Sequence, residues 1–486
     1  MHRADLKRTT AGAKLHYVVI DMTHGGVKIA VSLAKTGKIV HAIDIYNTMK
    51  GIDEKMLEVY GVNVIGFEDM SNLKGKVCVI APVHLPMSED EIESYNPDLK
   101  YEFLTHHEII ARILDDWGKD IPKIEVTGVK GKTSSVFMLK EILIDENPLI
   151  LSSLGAILYS DENEIVLKRN ISITPANIKE TIDLAYKVAN PICKIAEGEV
   201  ISENLKKYSS AIFESSLGVT GIGDVGLLTN IAEDYPIAKS RSSASRAKAQ
   251  VFRCNTVACQ KECYDEYYSD IEHNKVNTFS LSDKSANLHV RNVKYSLDET
   301  TVDIVYRDVK SIKDNVLNGE ITVKTFAPGP HHVSNVLGVV LTSLCLEIPE
   351  QKIIDGLKNY KGIPGRTNKK TIENSIIIEE INPGINTQAI KESMNMIDNL
   401  DDYYVAIGGD YGITCEEIDE DKLAEFLNTT DCRLILTGEV GVSISEKITR
   451  NAGIIENYND CYTKAISDNK NLLFIYRSSY SNLSQR

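Results

Sequence analysis

The chain has no apolar run approaching the ~20 residues that cross a bilayer as a helix, which excludes a helical membrane protein. It has no excess of positive charge either. Its 69 acidic residues outweigh 54 basic ones and leave a net charge of −15, the opposite sign to a general nucleic-acid backbone binder. Nor does it have a disulfide framework: the nine cysteines are an odd number, scattered, and partly set in apolar runs such as Val77-Cys78-Val79, as expected in a reducing compartment. No internal repeat or low-complexity tract is present. The apolar stretch after His16 is cut at Asp21, so the N-terminal region reads as a strand and not as a signal peptide. These absences define a soluble cytoplasmic protein, with Met1–Lys14 as a loose extension.

What is present is an α/β chain of 486 residues, enough for about three domains. A strand at Tyr17–Asp21, a turn at Thr23-His-Gly-Gly26, a helix at Val27–Thr36 and a strand at Val40–Ile45 make a βαβ opening. Further short strands follow at Val62–Ile65 and Lys76–Ala81, and this unit ends near Trp117-Gly118. A second unit starts at Pro122, with buried strands expected at Ala211–Phe213 and Gly226–Leu228. Leu288–Tyr306 alternates with period two, and His332–Leu346 has a helical pattern. The turn Tyr360-Lys-Gly-Ile-Pro-Gly-Arg366 reads as a hinge. Beyond it a third unit has strands at Ile376–Glu380, Tyr403–Ile407 and Leu434–Leu436. The expected domains are 15–117, 118–362 and 363–486.

The segment with the most chemical content is Ile124-Glu-Val-Thr-Gly-Val-Lys-Gly-Lys-Thr-Ser-Ser135. A strand runs into Gly128, Val129, Lys130 and Gly131, and a helix over Thr133–Leu143 follows. Glycines let backbone N–H groups turn toward phosphate oxygens at a helix start. Lys132 would then reach the β/γ-phosphates of ATP, and the Thr133 hydroxyl would ligand Mg²⁺, with Ser134 next in the loop. The spacing between the glycines is two residues shorter than in the usual P-loop.

Other pieces agree with this loop in order and spacing. Phe213-Glu-Ser-Ser216 and Thr229-Asn-Ile-Ala-Glu-Asp234 each end an apolar strand, where a parallel sheet holds its ligands. Arg246-Ala-Lys-Ala-Gln-Val-Phe252, Pro330-His-His-Val-Ser-Asn335, Gly365-Arg366 and Ala406-Ile-Gly-Gly-Asp410 follow. Together they resemble the Mur ligase family of three-domain, ATP-dependent ligases, over nearly the whole chain. The resemblance implies a Rossmann-like N-terminal domain, a central P-loop ATPase-type parallel sheet and a Rossmann-like C-terminal domain.

The resemblance also implies roles for individual residues. Lys132 would neutralise phosphate charge. Thr133, Ser153 and Glu214 would hold Mg²⁺, and Lys248 would carry a CO₂-derived carbamate facing a second Mg²⁺. Asn335 would lie near the adenine, and Arg366 would reach the phosphates. Glu379, Glu380 and Asn382-Pro383 resemble the Asp…Asn-Pro segment of the third domain, with either glutamate as the counterpart. Tyr235 stands where the family usually has His, which puts the second metal site in question, because tyrosine stays protonated near neutral pH. His332 stands where Asn is usual and could contribute to nucleotide binding.

Simpler roles compete with some of these. Asn335 could be a helix-start cap, and Lys248 could be a solvated helix lysine. Cys254, Cys259 and Cys263 match no standard zinc or iron–sulfur spacing and read as structural. His106-His107 and His331-His332 read as surface pairs. Asp410 belongs to a strand-ending turn, without a catalytic role.

The expected reaction is transfer of the ATP γ-phosphoryl group to a substrate carboxylate, followed by nucleophilic attack on the acyl phosphate. The start Asp21-Met-Thr-His-Gly-Gly26 lacks the glycine spacing of a pyrophosphate binder. Together with Ala81-Pro-Val-His84, Leu104-Thr-His-His107 and Ser216-Leu-Gly-Val-Thr-Gly-Ile-Gly-Asp224, it looks like the archaeal branch of the family that closes the last ring of a nickel tetrapyrrole. Two other readings stay open: a ligase joining an amino acid to a pseudomurein-like precursor, and a degenerate ATP-binding module. No nucleic-acid or membrane partner is expected, and monomer and homodimer both remain open.

Overall fold

The structure, a computed structural model, describes residues 14–189, 207–397, 402–412 and 418–478. The expected N-terminal extension lies outside them, apart from Lys14. The chain forms two compact units. The first is Met1–Leu288 with Arg307–Asn318 and Gly338–Pro349, and the second is His289–Tyr306, Gly319–Leu337 and Glu350–Arg486.

The first unit opens with five strands: β1 (Leu15–Ile20), β2 (Ile39–Ile43), β3 (Asn63–Val64), β4 (Lys76–Ala81) and β5 (Lys100–Thr105). They pair in parallel in the order β3-β2-β1-β4-β5. The order reverses between β1 and β4, which makes that point the crevice where doubly wound sheets bind ligands. The helix Val27–Lys35 follows β1 and buries Ile29, Ala30 and Leu33, a spacing that puts one apolar face on the sheet.

A second sheet in the same unit is built from β6 (Lys123–Thr127), β7 (Leu149–Ser152), β8 (Gly155–Ser160), β9 (Asn163–Lys168), β10 (Ala211–Glu214) and β11 (Val225–Leu228). The short pair β12 (Pro236–Ile237) and β13 (Ser242–Ser243) stands apart, and β14 (Thr256–Gln260) and β15 (Val276–Ser280) complete the sheet. Within this unit the order is β15-β14-β11-β6-β10-β7-β8-β9, parallel from β15 to β7 and antiparallel through β8 and β9. The central strand β6 is buried along its whole length, as a parallel strand covered on both faces must be. A continuous apolar core that includes Val19, Leu33, Leu149, Ile178 and Phe213 joins this sheet to the first.

The alternation over 288–306 resolves into β16 (Leu288–Lys294) and β17 (Thr300–Lys310), followed by β18 (Val316–Thr325). The expected helix after them spans Pro330–Cys345. In the second unit a six-stranded sheet comprises β19 (Arg366–Ile372), β20 (Ser375–Ile381), β21 (Tyr403–Gly409), β22 (Arg433–Thr437), β23 (Gly453–Ile455) and β24 (Asn471–Arg477). Its order is β19-β20-β24-β21-β22-β23, parallel except for the β19–β20 hairpin. Asp410 follows β21 and accepts hydrogen bonds from Tyr476 and Ser478, a structural role in keeping with the turn it ends. Among the described residues no helix is long and apolar enough to cross a membrane.

Candidate active site

The loop between β6 and the helix Lys132–Ile142 forms as its sequence predicts. Gly128 has φ +143 and Gly131, at the helix start, has φ +83; both angles are open to glycine and strained for other residues. A side chain at Gly128 would also strike Thr229, because a Cβ there would lie 2.0 Å from its Oγ1. Lys132 Nζ donates to the Gly128 and Val129 carbonyls at 3.0 and 3.2 Å, so its charge sits over the loop.

Beneath the loop three oxygen-bearing groups converge from separate elements. Thr133 Oγ1, on the first turn of the helix, donates to Glu214 Oε1 at 3.0 Å and lies 3.0 Å from Ser153 Oγ. Glu214, at the end of β10, accepts the Ser153 backbone N–H on its other oxygen at 2.9 Å. Hard oxygen donors beside a phosphate loop suit Mg²⁺, which takes one or two protein ligands and completes its shell with water and phosphate. The residues present therefore fit the ion the sequence implies.

Lys248 ends a short helix, Ala244–Lys248, and is 0% exposed. Its Nζ donates to the Ser216 carbonyl at 2.5 Å. Burial, and then the positive charge of Lys132, lower its pKa to about 7, with Asp234 opposing. The solvated-lysine reading is excluded: this is a buried amine in the electrostatic neighbourhood of the phosphate-loop lysine. Asp234 accepts the Ser245 N–H and hydroxyl, both at 2.7 Å, which pins the helix start. Tyr235 is half-buried, and its carbonyl accepts the Ala244 N–H.

Two clamps support this arrangement, and sequence reading missed both. Asn230 holds the phosphate loop: its carbonyl accepts Val129 N–H at 2.9 Å and its side-chain oxygen accepts Lys130 N–H at 3.0 Å. Thr229 adds a 2.6 Å bond to the Lys130 carbonyl. Glu125, 0% exposed in β6, accepts the N–H groups of Thr220, Gly221 and Gly223 and the Thr220 hydroxyl. It thereby fixes the glycine-rich segment that begins at Ser216, the acceptor for Lys248. The one available signal was an acid flanked by Ile124 and Val126 in a strand leading to the phosphate loop.

Asn335, Arg366 and Asn382 belong to the second unit. Asn335 is buried inside the helix Pro330–Cys345, past the cap position. His332, one turn earlier, lies 2.8 Å from Thr367 Oγ1, and Thr367 donates in turn to Glu380. Glu379 faces the other way, with Tyr462 donating at 2.7 Å and Lys370 at 2.5 Å. The period of two along β20 thus separates the two glutamates: Glu380 shares the side of His332, and Glu379 is engaged structurally. Asn382 accepts the Gly384 N–H at 3.1 Å and shapes the turn after β20.

Three histidines expected at the surface are buried. His106, His107 and His332 are 2%, 4% and 7% exposed, because each sits on the first turns of a helix that packs inward. The cysteine reading holds: Cys254, Cys259 and Cys263 are buried free thiols, their pKa values raised by burial. Among the described residues three His or carboxylate donors close enough to share an ion are instead Asp21, His24 and His84, at the carboxyl ends of β1 and β4.

Three sheets bearing a phosphate loop and a buried lysine define the ligase fold, and solved structures share it. MurF from Acinetobacter baumannii superposes with a TM-score of 0.57 at 13% identity, covering 96% of this chain and 92% of that one. MurC from Thermotoga maritima gives 0.51 at 15% identity, covering 97% of both. These likenesses show that the chain shares the fold of the Mur ligases. In sequence it is similar to the coenzyme F(430) synthetase of Methanocaldococcus jannaschii, at 28% identity over 91% of this chain and 95% of that protein. The coenzyme F(430) synthetase of Methanosarcina acetivorans is 25% identical, over 87% and 89%. Residues 369–479 match the family described as coenzyme F430 synthetase CfbE, C-terminal domain.

Proposed function

We propose that this protein is an ATP-dependent cyclo-ligase acting as a coenzyme F(430) synthetase. It would activate a propionate carboxylate of a nickel seco-tetrapyrrole and close the carbocyclic ketone ring. The γ-phosphoryl group passes to the carboxylate oxygen and ADP leaves. A carbon of the same molecule, giving up its C–H proton to solvent, then attacks the acyl phosphate; a C–C bond forms, the C–O bond to phosphate breaks, and phosphate departs. No amine is consumed. The observation that carries the ligase chemistry is Glu214 joined to both the Thr133 hydroxyl and the Ser153 amide beside the Gly128–Gly131 loop.

In this reading Lys132 leaves the loop carbonyls for the β/γ-phosphates, where its charge offsets the negative charge that develops. Thr133, Ser153 and Glu214 hold Mg²⁺, which supplies further charge neutralisation. Lys248, with a pKa near neutrality, has the free amine that reacts with CO₂, and the carbamate would give a fixed anionic group beside the metal site. Asn335, Arg366 and Asn382 are the further residues assigned to the nucleotide in this proposal. The domain division 15–117, 118–362 and 363–486 belongs to the same proposal.

The substrate choice rests on the first sheet as well as on the relatives. Asp21 accepts the Thr23 and His24 N–H groups at 2.9 and 3.3 Å. The amides that would greet a pyrophosphate at this helix start are therefore already bonded to a buried carboxylate, which argues against a UDP-linked substrate. ADP release with MgATP and the nickel seco-tetrapyrrole, in the absence of any amine, tests the proposal. Release only in the presence of an amino acid would favour the peptide-forming reading, and nucleotide binding without turnover would favour the binding module.

A further inference from the structure

The crevice between β1 and β4 is formed by residues that the ligase chemistry leaves unused. Asp21 follows β1 directly, 0% exposed, with φ 74. That backbone conformation is disfavoured for a non-glycine residue, and such strain gathers at functional sites. The strain places one carboxylate oxygen on the Thr23 and His24 amides and the other 2.6 Å from His24 Nδ1. His84, beyond β4, brings Nε2 to 3.5 Å from the same carboxylate oxygen and 3.3 Å from His24 Nδ1.

The 2.6 Å spacing distinguishes two uses of this cluster. Two donors on one ion, each about 2.1 Å from it, sit roughly 3.0–3.4 Å apart. Asp21 and His24 are closer than that, at a charge-assisted hydrogen-bond length. Nδ1 of His24 thus carries the proton given to Asp21, and the lone pair lies on Nε2. This is the arrangement by which a carboxylate orients a metal-ligating histidine.

His24 Nε2 has no hydrogen-bond partner among the described residues, and the side chain is 45% exposed. Its ring is held edge-on by two neighbours: His84 at 4.6 Å and 85°, and Tyr46 at 6.1 Å and 86°. The floor of the site is equally ordered, with His106 Nε2 3.0 Å from the Ile20 carbonyl. Beside it, His107 is buried with neither ring nitrogen paired, in electrostatic range of both His84 and Lys248.

We infer that His24 Nε2 is the axial ligand to the metal at the centre of the bound macrocycle, with Asp21 as its orienting partner and His84 and Tyr46 as the walls that hold the ring. This rests on the nickel-tetrapyrrole reading above. A macrocyclic nickel ion has its equatorial positions filled and accepts single donors along its axis, so one projecting imidazole nitrogen suits it better than a three-donor cage.

The test is an absorption titration of the purified protein with the nickel seco-tetrapyrrole and with its metal-free form, for wild type, His24→Ala and His84→Ala. Thermal melts and ATP binding verify that each variant is folded. Wild type is expected to shift the band of the nickel form. His24→Ala should lose the shift and bind that form roughly tenfold or more weakly, bind the metal-free form as wild type does, and recover the shift with added imidazole. An unchanged shift in His24→Ala, while wild type still releases ADP with the nickel substrate, overturns the axial assignment alone. A shift lost in His84→Ala but kept in His24→Ala also overturns it. Uptake of free Ni²⁺ or Co²⁺ abolished in both variants, with the macrocycle spectrum unaffected, overturns it in favour of an isolated ion site. Absence of both binding and ADP release in wild type overturns the substrate reading and this inference with it.

Discussion

Lys248 Nζ donates to the main-chain carbonyl of Ser216 at 2.5 Å, across a separation of 32 residues. The bond anchors a fully buried amine to a segment that Glu125 in turn holds in place. Burial and the positive charge of Lys132 poise that amine between its two protonation states near neutral pH.

Carbamate formation should follow from that poise. CO₂ reacts with the neutral amine, whose fraction rises with pH, so ADP release in bicarbonate-limited buffer should climb as pH passes upward through about 7. Lys248→Ala should lose at least about a hundredfold in kcat, as expected on removing a charge-stabilising group. Intact-protein mass or density showing a bare amine in a fully active sample would refute the carbamate.

Lys132→Ala should lower the rate of ADP release by roughly a hundredfold or more, since the phosphates lose their main cationic partner. Stopped assays at saturating MgATP measure this directly. Near-normal turnover would rule out this loop as the nucleotide site.

Glu125→Ala should act on stability first. It leaves the N–H groups of Thr220, Gly221 and Gly223 without their buried acceptor, at a cost of about 3 kcal/mol or more. Urea unfolding should show a lower midpoint at unchanged slope. A variant as stable as wild type would mean the segment finds other partners.

Gly128→Ala should abolish nucleotide binding while the protein stays folded. The new methyl would lie 2.0 Å from Thr229 Oγ1, so the clamp on the loop must open. Fluorescent-ATP titration reads the loss; wild-type affinity would show that the loop tolerates the displacement.

The phosphate loop was legible because its chemistry is local: strand, glycines, Lys132 and Thr133 are consecutive, and the helix falls within a residue of its expected start. Glu214 and Lys248 were legible through spacing and family resemblance. Asn230 and Glu125 were not, because their roles arise only when β11 pairs with β6 and brings segments about a hundred residues apart into contact. The choice between Glu379 and Glu380 was closed to sequence reading, since adjacent residues of a strand look alike until a face is assigned. The paired histidines misled for a related reason. A polar dipeptide at a helix start reads as solvated, yet His106 and His107 begin a helix packed against the first sheet, where burial pushes their pKa values down to about 4 and about 3. Asp21, His24 and His84 were visible as motifs but not as one cluster, because 60 residues separate the two histidines.

The central claim is tested most directly by ADP release from MgATP with the nickel seco-tetrapyrrole, followed together with the pigment's absorption spectrum. One ADP per ring closed, with a spectral shift and no added amine, is the predicted result. Turnover that requires an amino acid, or no turnover at all with that substrate, would contradict it.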